Sequence, residues 1–115
     1  MRLSPEQRGL CESVAVEADL PTAGSKLGVA ANVRDARLWP LNGLRHPPEA
    51  GTNGWYLWRG PHLADSDEFF SPLHIDHLAD WCSDAVRFIA LPPGWRFLVG
   101  PGQEDVWYDP SLLEL

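Results

Sequence analysis

A short aromatic run in the middle of this 115-residue chain sets the type of fold. Residues 55–59 read WYLWR and stand between two glycines. Strand alternation puts Trp55, Leu57 and Arg59 on one face. Tyr56 and Trp58 then lie on the other face, and aromatic residues favour strands. Because both faces are largely apolar, the run predicts a central strand of a sheet.

The start of the chain has the sequence of a capped helix. Ser4 can cap the helix, Pro5 suits its first position, and Gln7 can reach back to the cap. Apolar residues then recur with helical spacing as far as Ala18, and Pro21 stops the pattern. The sequence therefore predicts an amphipathic helix that begins at Pro5 and continues to about Ala18.

Two stretches before the aromatic run differ in their patterns. Residues 26–33 alternate between larger apolar residues and the small residues Gly28, Ala30 and Asn32. This predicts a strand whose small side lies under a helix or close to another backbone. Residues 34–53 show no periodicity and contain several turn pairs, so we predict a connection of about twenty residues. Connections of that length are uncommon in small domains and are more often functional.

The second half of the chain indicates further helices and a hairpin. Ser71-Pro72 repeats the logic of Ser4-Pro5 and predicts a second helix over residues 71–82. Ser83 is suited to cap a short third helix. Residues 95–99 and 106–108 are then predicted to form the two strands of a hairpin.

This order of elements favours the α+β class. We expect a small antiparallel sheet of about four strands with helices packed on one face, and a single domain over residues 1–115. The first residues show no secretory signal, and no apolar run approaches the ~20 residues that cross a bilayer. Two cysteines are too few for a disulfide framework. The sequence therefore indicates a cytoplasmic protein.

The charge of the chain is concentrated in its second half. Residues 1–60 hold seven basic and six acidic residues, whereas residues 61–115 hold two basic and ten acidic ones. A half-chain this acidic repels a phosphate backbone, which disfavours nucleic acid as a partner. It attracts a cationic partner and speeds the encounter with it. Solubility alone is the alternative explanation of the acidity.

No motif in the sequence predicts catalysis or a metal site. His74 and His77 are three positions apart, which differs from the four-residue spacing of helical zinc motifs. Cys11 and Cys82 fall on apolar faces of the predicted helices, where cysteine acts as a small hydrophobic residue rather than as a nucleophile. We therefore expect no catalytic residue, no metal and no cofactor.

The acidic residues supply the candidate partner surface. Asp76 and Asp80 lie one turn apart on the solvent side of the predicted second helix. Like charges at this spacing destabilise a helix by a few tenths of a kcal/mol, and tolerance of that cost favours a cationic partner. Trp39 is the tryptophan that we expect to be exposed for a contact. The candidate partner-binding residues are Asp65, Asp67, Glu68, Asp76, Asp80 and Trp39.

A small-ligand or enzymatic site is the alternative to a partner surface. A cleft between the connection at residues 34–53 and the sheet would be lined by Arg45, His46, Trp55 and Arg59. Its two arginines suit an anionic ligand. A homodimer joined through a sheet edge or through the Trp39 loop is a further alternative.

Two blocks of the sequence resemble a known bacterial family. They are the Gly-Trp-x-x-x-x-Gly run at residues 54–60 and the Pro-Pro-Gly-Trp-Arg-Phe run at residues 92–97. Over roughly residues 54–109 the chain is similar to the immunity protein 33-like domains of polymorphic toxin systems. This resemblance implies a small α+β protein that binds and neutralises a cognate toxin, and it implies no catalytic residues. We therefore expect a binding protein rather than an enzyme, with a toxin as partner and neither nucleic acid nor a membrane.

Overall fold

The computed structural model describes residues 2–61 and 70–114. Six strands form one sheet, in the spatial order β4-β1-β3-β2-β5-β6. The pair β1 and β3 is parallel, and the other four neighbouring pairs are antiparallel. The strands are β1 (Lys26–Ala30), β2 (Leu41–Arg45), β3 (Thr52–Arg59), β4 (Phe70–His74), β5 (Trp95–Gly100) and β6 (Gln103–Tyr108).

The helical elements are short. Besides α1 (Pro5–Ser13) and α2 (Leu78–Trp81), the described residues contain four 3₁₀ helices, at Ala31–Arg34, Ile75–His77, Ser83–Phe88 and Pro110–Leu113. The architecture is therefore α+β, as the sequence predicts. None of the helices within residues 2–61 and 70–114 has the length and apolarity that a bilayer crossing requires.

Helix α1 begins as its sequence predicts and ends earlier. Both hydrogen bonds of the capping box between Ser4 and Gln7 are present. The helix ends at Ser13 rather than near Ala18, because Ala15 adopts a left-handed conformation with φ of 59°. The amide of Val16 then donates to the carbonyl of Cys11, and the amide of Ala15 donates to Glu12, which is the Schellman arrangement.

The expectation of about four antiparallel strands is wrong in number and in direction. Strand β2 lies inside the stretch predicted as a loop, where its Asn42-Gly43 pair has the composition of a turn. The strand forms because it pairs with β3 on one side and with β5 on the other. Gly43 is required there because the Phe97 ring would lie 2.1 Å from a Cβ at that position.

The prediction of a helix starting at Ser71-Pro72 is also wrong. Both residues lie in β4, which pairs with β1 at one edge of the sheet. Proline is tolerated in an edge strand because an outward-facing amide there has no ladder partner. Ser83 begins a 3₁₀ helix rather than an α-helix, and no side chain caps it.

The aromatic run forms the centre of the sheet, as predicted. Trp55 and Leu57 are fully buried on the face that carries the main core, together with Phe97 of β5. Helix α1 and the 3₁₀ helix Ser83–Phe88 pack on this face. Trp58 lies on the opposite face in a smaller cluster, which Leu112 of the last 3₁₀ helix covers.

Candidate functional site

Arg45 joins three distant segments of the chain. Its side chain is buried, with the residue only 1% exposed. Nε donates to the carbonyl of Asn53 at 3.0 Å, and Nη1 donates to the carbonyls of Asp19 at 2.6 Å and Leu91 at 2.8 Å. Burial lowers the pKa of this guanidinium, although the carboxylate of Asp19 acts in the opposite direction. The Arg45 side chain therefore has a structural role, because its hydrogen bonds hold three backbone segments together.

Arg59 has the same kind of surroundings. Its Nε donates to the carbonyl of Val33 at 2.8 Å, and Nη1 donates to that of Leu38 at 3.2 Å. Its guanidinium lies 4.8 Å from the ring centroid of Trp39 and 3.9 Å from a carboxylate oxygen of Asp84. A ligand could reach this buried guanidinium only if the chain gave up these contacts.

The other two residues of the predicted cleft lie on different faces of the sheet. Trp55 is fully buried in the main core, and its indole N–H donates to the carbonyl of Ile89 at 2.9 Å. His46 is half-buried beside Tyr56, and its Nδ1 lies 2.9 Å from the carbonyl oxygen of Leu112. The structure therefore does not bring Arg45, His46, Trp55 and Arg59 together around one opening.

One shallow groove of about 420 Å³ lies between residues 22–25 and residues 48–52. Glu49 is the one charged residue in its lining. A single carboxylate without a cationic or nucleophilic neighbour in the lining does not supply the acid and base groups that most catalysis needs.

The predicted exposure of Trp39 is only partial. The residue is half-buried, packs against the main core and stacks under the Arg59 guanidinium. Leu38 beside it is 41% exposed. A contact through Trp39 would therefore use the exposed part of its ring.

Asp76 and Asp80 lie on the surface, close to the edge formed by β4. Both are exposed, and neither has an ion pair within the described part of the chain. The other three predicted partner-binding acids, Asp65, Asp67 and Glu68, lie outside the described residues. The pair at Asp76 and Asp80 is thus the part of the predicted acidic surface that the structure places.

Several other acidic residues are neutralised by the chain itself. Glu104 forms an ion pair with Arg87, and Asp109 lies 3.2 Å from Nη1 of Arg96. Hydrogen bonds from the Ser111 hydroxyl, and then from Arg96, hold the pKa of Asp109 below its usual value. Glu104 also lies on β6, at the sheet edge opposite β4. The acids of the second half therefore do not all form one surface.

The thiols are poor candidates for nucleophiles. Cys11 and Cys82 are free and buried. Burial raises the pKa of both thiols, and for Cys82 this outweighs the opposing effect of the nearby Arg59 guanidinium. The rings of His74 and His77 lie 6.2 Å apart, and no cluster of three or more metal-ligating residues occurs in residues 2–61 and 70–114.

The exposed edge strand β6 is a candidate contact site whose residues the sequence did not identify. Strand β6 ends the sheet, and five of its six residues are exposed. They include Trp107 and Tyr108, which are 38% and 49% exposed. The signal in the sequence was the run Gln103-Glu104-Asp105 at the start of the strand, because three successive polar residues leave neither face apolar there.

Comparison with known proteins gives one family match. The family model described as the Imm33-like domain matches residues 6–109, nearly the whole chain. The match therefore includes most of the first half of the chain, whereas the resemblance seen in the sequence covers roughly residues 54–109. A search of curated proteins and a search of solved structures each found no match. On the extent of this match, the chain belongs to the Imm33-like domain family.

Proposed function

We propose that this protein is an immunity protein that binds and neutralises a cationic toxin, with surface acids that speed the encounter. The family match over residues 6–109 is the observation that carries the proposal. The burial of Arg45 and Arg59 against backbone carbonyls supports binding over catalysis, because it removes both cations of the alternative ligand cleft.

Asp76 and Asp80 are the described acids best suited to attract such a partner. They are exposed, whereas Glu104 and Asp109 already have arginine partners. In a chain of net charge −7, uncompensated surface carboxylates raise the rate at which a cationic protein arrives. The proposed set also includes Asp65, Asp67 and Glu68, with the exposed part of Trp39 as an apolar contact.

The test uses the product of the neighbouring gene as the candidate toxin domain. Co-expression should restore growth to bacteria that produce this domain, and the purified proteins should bind each other. The double variant Asp76→Asn, Asp80→Asn should associate with the toxin domain about three- to tenfold more slowly at 10 mM salt, where the Debye length is ~30 Å. The difference should disappear at 0.5 M salt.

The matched control neutralises two exposed acids on the other half of the chain, Glu12→Gln and Glu17→Gln. This variant should associate nearly as fast as the wild type. Absence of both protection and binding would overturn the proposed function. Equal rates for the two double variants at low salt would instead remove the role of Asp76 and Asp80.

A further inference from the structure

In the described part of the chain, strand β6 has a row of backbone groups without a neighbouring strand. It occupies one end of the strand order and is joined to β5 by the two-residue turn Pro101-Gly102. Hydrogen-bonded and non-hydrogen-bonded pairs alternate from such a turn, beginning with the bonded pair Gly100 and Gln103. The amides and carbonyls of Glu104, Val106 and Tyr108 therefore point away from the sheet.

The opposite edge is less suited to pairing. Within the described residues, strand β4 is one residue shorter than β6 and carries Pro72 in its middle, which removes a backbone donor. Strand β6 contains no proline within residues 103–108. Of the two edges of this sheet, only that of β6 can offer an uninterrupted series of donors and acceptors.

Apolar surface accompanies the open edge. Trp107 is 38% exposed and Tyr108 is 49% exposed, on opposite faces of β6. The Tyr108 ring lies over Gly94, and the exposed Leu113 borders the same glycine. Exposed aromatic side chains beside an unpaired strand are typical of surfaces that accept an extended segment.

The charge at this edge selects the kind of segment. Glu104 forms an ion pair with Arg87. Asp105, on the other face, accepts a hydrogen bond from the side-chain amide of Gln103. It has no cation within ion-pair distance in the described residues. A lysine or arginine placed directly across from Asp105 would pair with it, and an apolar side chain two positions away would cover Trp107. A second copy of this chain, with net charge −7, fits the edge poorly.

We propose that β6 binds an extended segment of the toxin by strand addition, and that this segment carries a basic residue and an apolar residue two positions apart, on the same face. The inference rests on the proposed function, and it names a docking site that differs from Asp76 and Asp80. Strands β4 and β6 are five strand spacings apart, about 24 Å. Asp76 and Asp80 speed the approach of the partner, whereas β6 sets how long it stays bound.

The test replaces one outward amide. Val106→Pro removes the central outward N–H, while the hydrogen bonds from β6 to β5 keep their donors. Val106→Ala is the matched control, because it shortens the same side chain and keeps the N–H. With the adjacent toxin domain as probe, Val106→Pro should dissociate about tenfold faster than Val106→Ala. Circular dichroism and urea denaturation establish that both variants are folded.

Hydrogen exchange on the wild-type complex gives a second measurement that does not depend on a variant. Binding should protect the amides of Glu104, Val106 and Tyr108 and should leave those of Asp105 and Trp107, already bonded to β5, little changed. Charge reversal by Asp105→Lys should weaken binding, whereas Glu12→Lys on α1 should have a much smaller effect.

The outcomes separate this inference from the function on which it rests. If the wild-type protein neither protects against the toxin domain nor binds it, the proposed function fails. If it binds, and the three outward amides stay unprotected, strand addition is overturned while the immunity function stands. A wild-type dimer that Val106→Pro dissociates would also overturn the inference, because a second copy would then occupy the edge.

Discussion

Replacing Arg45 with methionine tests whether this residue is structural. Its guanidinium joins the backbone after α1, the start of β3 and the segment before β5, through the carbonyls of Asp19, Asn53 and Leu91. Methionine fills a similar volume but donates no hydrogen bond. The substitution therefore leaves three buried or half-buried carbonyls to find new partners.

The expected loss of stability follows from these three bonds. Each hydrogen bond to a charged group contributes about 1.5–3 kcal/mol. The gain from no longer burying the charge offsets part of this sum, as the lowered pKa of Arg45 indicates. We expect Arg45→Met to lower the free energy of unfolding by about 3–5 kcal/mol, a large loss of the kind produced by breaking a buried hydrogen-bond network. At about 4 °C per kcal/mol, the melting temperature falls by roughly 12–20 °C.

The change in the free energy of unfolding is measured by urea denaturation, with tryptophan fluorescence as the signal. Arg45→Lys should recover only part of the loss, because one ammonium cannot reproduce the fork that serves all three carbonyls. Arg8→Met on the exposed face of α1 is the control and should shift stability by less than about 0.5 kcal/mol. A loss below ~1 kcal/mol for Arg45→Met would refute the structural role of Arg45. Arg45 would then again be a candidate contact for a ligand.

Three further predictions concern packing and pH. Gly43→Ala should destabilise the protein by about 1–3 kcal/mol, because the added methyl group meets the Phe97 ring. The loss should be smaller in a Phe97→Leu background. Urea midpoints of the wild type, the two single variants and the double variant give the coupling energy between the two positions. Gly9→Ala should raise the melting temperature, since open space surrounds that helical position and alanine is favoured there by ~1 kcal/mol. The pKa of Asp109 is lowered in the folded state, chiefly by the Ser111 hydroxyl, so its contribution is present at neutral pH and is lost as the pH falls through the lowered value. Asp109→Asn should therefore lose less stability than the wild type between about pH 6 and pH 3, and equal slopes would contradict this.

Local sequence signals predicted the elements whose stability is local. The capping box at Ser4 and Gln7 and the strand at residues 55–59 are confirmed, because caps and alternation act within a few residues. Strand β2 was missed because its pairing with β5 is made by residues about fifty positions away. The Leu41–Arg45 segment has the composition of a turn, and only the two neighbouring strands make it extended.

The candidate site shows the same division. Exposure of Asp76 and Asp80 follows from their polar character, and the structure places both on the surface. The burial of Arg45 could not be predicted, because the carbonyls that satisfy it belong to segments distant in sequence. An arginine in a stretch without periodicity is equally consistent with a ligand site and with a structural role until the fold is known.

The position of β2 has a consequence for synthesis of the protein. A ribosome delivers β2 about fifty residues before β5, so one side of this inner strand stays unpaired while those residues are synthesised. The nascent chain therefore exposes an apolar strand edge that can aggregate until the C-terminal hairpin emerges. Truncation before residue 95 would leave that edge open permanently, and we expect such a fragment to be insoluble rather than to fold as a smaller sheet.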